Sequence, residues 1–208
     1  MPGRCKGVAA SLVVLVLLAP IPSLAGPYED GDSAFRRRDY AIAMKHWRPL
    51  AEGQDARAQA GIAAMYLGGL GVPPDYTLAL ALSERAANRG EPKAQYLLGS
   101  MYRDGKGVQK DLARAIVLFR QAADQDLHWA QYTLGLMYLL GEGVPASHLE
   151  SYHWFTLASV VRDDDDAEVH ATATFLLEKV SAKLTPDQIG EAKQRLSEWK
   201  PVPSLRNK

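Results

Sequence analysis

Apolar positions along the chain fall at helical spacing, and the pattern repeats every 36 residues. In one unit Ala94, Leu98 and Tyr102 are four apart and make one stripe of a helix; Ala115, Leu118, Phe119, Ala122 and Ala123 make a second stripe. Stepping by the period reproduces the types: Ala58, Ala94 and Ala130; Ile62, Leu98 and Leu134; Tyr66, Tyr102 and Tyr138. Asp39, Asp75 and Asp111 open equivalent segments, and Ser147 holds the fourth register. A helical unit of this length cannot bury its apolar face alone, so neighbours must stack. The pattern predicts an all-α fold, an α/α solenoid of antiparallel helix pairs.

Between the two helices of a unit lie Gly69 and Gly71, Gly105 and Gly107, and Gly141 and Gly143, a turn chemistry suited to stopping one helix and starting the next. Asp111 suits the N-cap of the second helix. Gly99 and Gly135 sit inside helices, where glycine costs about 1 kcal/mol relative to alanine, so they predict close approach of a neighbouring helix. Ala63 fills that place in the first unit, and Ala43, Ala79, Ala115 and Ser151 serve likewise on the second helices. The ends depart from the period. Tyr28 to Arg38 reads as half a pair leading into a helix from Tyr40 to Ala51, its last turn frayed by Pro49. Beyond Ser147 the Gly-x-Gly loop is absent and an acidic run, Asp163 to Asp166, precedes helices from Ala167 to Lys183 and from Pro186 to Trp199, with Thr185 as N-cap. The layout reads as a half-repeat and cap over 26–55, three repeats over 56–160, capping helices over 161–200 and a tail over 201–208.

Residues 1–25 stand apart. Arg4 and Lys6 precede an apolar run from Val8 to Leu18, and Ser23-Leu24-Ala25 ends on small residues, the pattern of a signal peptide cleaved after Ala25. The run is shorter than the roughly 20 residues that span a bilayer, so no membrane span is expected after cleavage. Removing Arg4 and Lys6 from 24 basic residues leaves 22 against 24 acidic, a net charge of −2. That balance points to neither nucleic acid nor an anionic membrane as partner. The single cysteine, Cys5, leaves with the signal, and a periplasmic or secreted chain without disulfides is expected.

The run Lys93-Ala94-Gln95-Tyr96-Leu97-Leu98-Gly99-Ser100-Met101-Tyr102-Arg103-Asp104-Gly105-Lys106-Gly107-Val108-Gln109-Lys110-Asp111, closed by Ala122-Ala123, resembles the Sel-one-like repeat (SLR) family, relatives of tetratricopeptide proteins. The resemblance covers roughly Asp39 to Ser159, and Leu184-Thr185-Pro186 through Trp199 is similar to the closing helix of many bacterial members. It implies a right-handed superhelix acting as a non-catalytic adaptor for protein partners in bacterial export, envelope or signalling systems. One cysteine-rich branch is associated with β-lactam binding; a mature chain without cysteine does not share that feature. The readings to weigh are an envelope adaptor, a periplasmic regulator restraining a sensor kinase, and, from another class, a hydrolase of cell wall or β-lactam.

A second stripe on the first helices differs between copies: Trp129, Tyr132, Leu136 and Leu139 in the third, Lys93, Tyr96, Ser100 and Arg103 in the second, Arg57, Ala60, Ala64 and Leu67 in the first. By resemblance to tetratricopeptide solenoids it faces the concave groove. Arg57, Lys93, Tyr96, Arg103, Trp129, Tyr132, Leu136 and Leu139 are therefore the candidate partner-binding residues, graded from cationic to aromatic, suited to a segment with an apolar anchor and a nearby carboxylate. Burial of Trp129, Tyr132, Leu136 and Leu139 under the C-terminal cap is the competing assignment. No other chemistry is indicated. The glycine loops follow helices and precede no Lys-Ser or Lys-Thr pair, so they read as turns. His46, His128, His148, His153 and His170 form no zinc motif, and the acidic run lacks the spacing of a calcium loop. No metal or cofactor is expected. With no Gly-x-Ser-x-Gly elbow and no mature cysteine, no catalytic nucleophile stands out.

Overall fold

The computed structural model describes residues 26–160 and 167–203; the expected signal peptide, the acidic run Asp163 to Asp166 and the end of the tail lie outside them. Among the described residues there are ten helices and no strand: α1 (Pro27–Arg36), α2 (Tyr40–Glu52), α3 (Ala56–Gly68), α4 (Tyr76–Ala87), α5 (Pro92–Asp104), α6 (Leu112–Asp124), α7 (His128–Leu140), α8 (His148–Ala158), α9 (Ala167–Ser181) and α10 (Pro186–Glu198). Each helix from α1 to α8 packs on the next, α10 packs on α8, and α3 also meets α5, and α7 meets α9, across one unit. This gives two layers, odd-numbered helices in one and even-numbered in the other. None of these helices is long and apolar enough to cross a membrane.

The repeat period is visible in the hydrogen bonds. Asp75, Asp111 and Ser147 accept from backbone N–H groups of Leu78, Arg114 and Glu150, satisfying donors at the starts of α4, α6 and α8. Their own backbone N–H groups donate to the carbonyls of Tyr66, Tyr102 and Tyr138, closing each loop. Gly69, Gly105 and Gly141 end α3, α5 and α7 at φ near +70°. The next glycine meets the preceding unit: a Cβ on Gly107 would lie 2.7 Å from the Tyr76 carbonyl oxygen. The recurrent stripe is buried as expected, with Ala58, Ala94 and Ala130 fully enclosed. Gly99 and Gly135 face Phe119 and Phe155, and Ser151 donates from Oγ to the Gly135 carbonyl at 3.0 Å.

One end of α2 differs from expectation. The helix continues through Pro49 to Glu52 instead of fraying, because Lys45 and Pro49 are exposed and water can serve the carbonyl that proline leaves without a donor. Gly53 then closes the helix by donating to the Pro49 carbonyl at 3.0 Å.

The C-terminal cap has two parts. α9 packs on α8 and α7, and Val169, Ala173 and Val180 are buried there. α10 starts with a complete capping box between Thr185 and Gln188 and returns along α8. Arg195 meets Glu150 at 2.8 Å, and the backbone N–H of Val202 reaches the Asp124 carbonyl at 2.7 Å. His153 sits by this clamp, and burial, aided by the Arg195 charge, holds its imidazole below the ordinary pKa of 6.5. The unfolded chain therefore takes up the proton more readily than the folded one. His153's contribution to stability is complete above about pH 6.5 and falls as the medium becomes more acidic. Thermal unfolding measured between pH 7.5 and 5.5 is expected to show a falling Tm, with a flatter profile for His153→Gln; identical profiles would rule out this role.

Candidate partner-binding groove

The inner layer encloses a groove of about 710 Å³. Its floor lies low because α3 contributes only Ala60, Gly61 and Ala64 there. Tyr28 and Phe35 of α1, with Trp47 of α2, wall one side; Tyr96 and Leu97 of α5 and Trp129 of α7 wall the other. The small residues are required by packing as well as by the opening: a Cβ on Gly61 would fall 2.6 Å from the Trp47 ring. Trp47 is 2% exposed and stacks with Tyr28 at 5.9 Å, so this wall is prebuilt. Trp129 is 40% exposed and stands beside the apolar side chains of this lining.

The candidate residues divide into separate places. Lys93, Tyr96 and Trp129 come together on the groove. Arg57 stands at its N-terminal edge, stacked 4.1 Å over the Tyr28 ring. Arg103 lies at the far end of α5 beside Asp104 at 2.8 Å, with its guanidinium 5.8 Å from the Phe119 ring. Tyr132, Leu136 and Leu139 pack against the C-terminal core of Tyr152, Phe155, Ala173 and Val180. The stripe is thus divided, Trp129 facing the groove and the three residues beyond it facing the cap.

The cationic end is also less cationic than the residue types suggest. Arg57 meets Glu29 at 3.0 Å and Asp55 at 3.5 Å, and Lys93 meets Asp32 at 3.7 Å. Asp32 also holds Arg36 at 2.7 Å. Burial alone would lower Arg57, but the Asp55 and Glu29 charges outweigh it and hold the guanidinium above its usual pKa. Arg103, by its hydrogen bond, keeps the Asp104 carboxyl below the carboxylate range. These exposed pairs are individually weak, yet they spread compensating charge along the edge. What remains distinctive is the apolar, aromatic channel.

The N-terminal wall was not among the candidates drawn from sequence. The 36-residue step could not point to it, because three residues join α1 to α2 where seven join α3 to α4; Tyr28 therefore lies 32 residues before its equivalent, Ala60, and holds the place of Tyr96 and Tyr132. Among the described residues no three histidine, cysteine or acidic side chains gather to hold a metal.

A family model for the Sel1 repeat matches residues 24–55, 56–91, 92–127 and 130–159, more than half the chain. The chain belongs to the Sel1 repeat family. Such repeats generally form protein–protein interaction modules, typically scaffolds without catalytic function. A protective antigen present in uropathogenic Escherichia coli, displaying an SLR fold, is 30% identical with a TM-score of 0.65 over 76% of this chain and 32% of its own. A Sel1 repeat protein from Oxalobacter formigenes is 27% identical with a TM-score of 0.60, over 74% of this chain and 58% of its own. The Sel1 repeat chain thus spans about a third and somewhat over half of these two relatives. No curated protein matches it.

Proposed function

We propose that this Sel1 repeat protein is a non-catalytic adaptor of the bacterial cell envelope that holds a segment of a protein partner in the groove between α1, α3, α5 and α7. The observation that carries the reading is Trp129, 40% exposed on an apolar groove. Aromatic side chains in such pockets supply most of the energy of protein recognition, and a wall already packed around Trp47 loses little freedom on binding. Since Arg57 and Lys93 already have carboxylate partners, the segment is selected chiefly by an apolar or aromatic anchor, with charge as a minor influence. Lys93, Tyr96 and Trp129 make the contact, with Arg57 at the edge. Arg103, Tyr132, Leu136 and Leu139 contribute indirectly, by holding α5 and α7 against their neighbours.

Trp129→Ala tests this directly. Its ring is 40% exposed, so truncation is expected to cost less than that of a buried tryptophan, with Tm lowered by no more than a few degrees. Capture of the envelope partner by purified protein should fall at least about tenfold, the loss of one aromatic anchor worth 1.4 kcal/mol or more. Retention of full binding would remove the groove from the reading, and turnover of cell-wall fragments or β-lactams by the pure protein would overturn the adaptor assignment. Export is part of the proposal, through cleavage after Ala25 of the leader in residues 1–25. The N-terminus of protein recovered from the envelope should be Gly26; an intact Met1 would contradict it.

A further inference from the structure

On the outer layer the fold contains one groove twice, once filled and once open. The open copy, a recess of about 730 Å³, lies over α5 between α4 and α6, lined by Leu98, Tyr102, Glu84, Arg114, Val117 and Leu118. One period later these positions are Leu134, Tyr138, Arg120, Glu150, His153 and Trp154. That second set lies where the chain's own C-terminal helix docks: Arg195 pairs with Glu150, Leu196 and Trp199 pack on the core containing Leu134 and Trp154, and Val202 donates to the Asp124 carbonyl.

Burial records the difference. α8 buries seven residues around most of its circumference, including His153 and Trp154, whereas α6 buries four, all on its inner side. Val117 is 57% exposed where His153 is 6% exposed. The open groove has the floor and walls of a helix-binding site without its helix. Its charges, however, are reversed: Arg114 stands in the place of Glu150, and Glu84 in the place of Arg120. Asp111 and the Tyr102 hydroxyl, each at 3.2 Å, hold the Arg114 guanidinium at the edge of this recess.

We propose that the outer groove between α4 and α6 is a docking site for an amphipathic helix of a second protein, one carrying a carboxylate where α10 carries Arg195. Helix-in-groove recognition needs an apolar stripe at helical spacing, which Ile189, Ala192, Leu196 and Trp199 illustrate in α10 itself. The charge reversal selects against this chain's own α10, whose Arg195 would confront Arg114, so the filled and open copies do not exchange occupants. This site is separate from the inner groove.

The test uses the full protein and two labelled synthetic peptides covering residues 185–203, one with the natural sequence and one with Arg195→Glu. Fluorescence anisotropy should show the Arg195→Glu peptide binding about tenfold more tightly, the combined effect of gaining an opposite charge and losing a like one. Val117→Asp, at an exposed site, should abolish that binding with Tm unchanged, and Arg114→Glu should invert the preference between peptides. Trp129→Ala should leave it unaltered, which keeps this outcome distinct from that of the inner groove. Equal affinity of the two peptides, tighter binding of the natural one, failure of both to bind, or indifference to Val117→Asp would each overturn the proposal.

Discussion

Gly135→Leu is expected to destabilise the protein by about 3 kcal/mol or more, at or beyond the upper end of ordinary overpacking. A Cβ alone at this position would stand 2.5 Å from two atoms of the Phe155 ring, and leucine adds three further carbons. Phe155 is fully buried and packs 6.0 Å from Tyr132, so it has nowhere to retreat. The backbone cannot open the gap cheaply either, because Ser151 of the same helix is bonded to the Gly135 carbonyl. Thermal unfolding should show Tm lowered by roughly 6–12 °C. The milder Gly135→Ala variant gives the sharper test, since its cost should fall when combined with Phe155→Leu. Purely additive losses in that double-mutant cycle would show that the ring is not the obstacle.

That packing pair shows how much of the fold was legible and where legibility ended. Positions that agree between copies, such as Ala58, Ala94 and Ala130, announced the buried stripe and hence the helix pairs. Gly99 and Gly135 announced a close approach, but not what approaches. The partners are Phe119 and Phe155, and the same register holds Ser83 and Trp47 in earlier units, four residues of three types and all buried. Size compensates along the series: glycine opposes phenylalanine, and Ala63 appears in the unit whose outer helix carries Ser83. Difference between copies is therefore no sure sign of binding.

The candidate groove was legible only in part for the same reason. Lys93, Tyr96 and Trp129 lie on one stripe that the period exposes, and they do meet on one surface. Tyr132, Leu136 and Leu139 share it too, but α9 and the C-terminal core adjoin them, and their period is lost beyond Ser147. Ion pairs such as Arg57 with Glu29 join residues 28 positions apart, across neighbouring units, where no spacing rule reaches.

Trp47→Ala is the second change expected to have a large effect, about 3 to 5 kcal/mol, as for other buried aromatic truncations. The indole fills the space that Gly31 and Gly61 leave open, its ring atoms 2.5 and 2.6 Å from where their Cβ atoms would be. It stacks with Tyr28, packs 5.4 Å from Phe35, and donates its Nε1–H to the Tyr28 carbonyl at 3.2 Å. Without it, α1 loses its main attachment and the wall of the inner groove collapses or opens. In a stacked-repeat protein such damage stays near its source, because each unit contacts only its neighbours. Hydrogen exchange should accelerate in α1, α2 and α3 while α7 to α10 remain protected, and partner capture by the inner groove should fall although Trp129 is intact. Trp47→Phe should recover most of the stability by refilling the space, but not the bond to Tyr28. Uniform acceleration across all helices would mean that the chain unfolds as one unit and that Trp47 supports more than its own end.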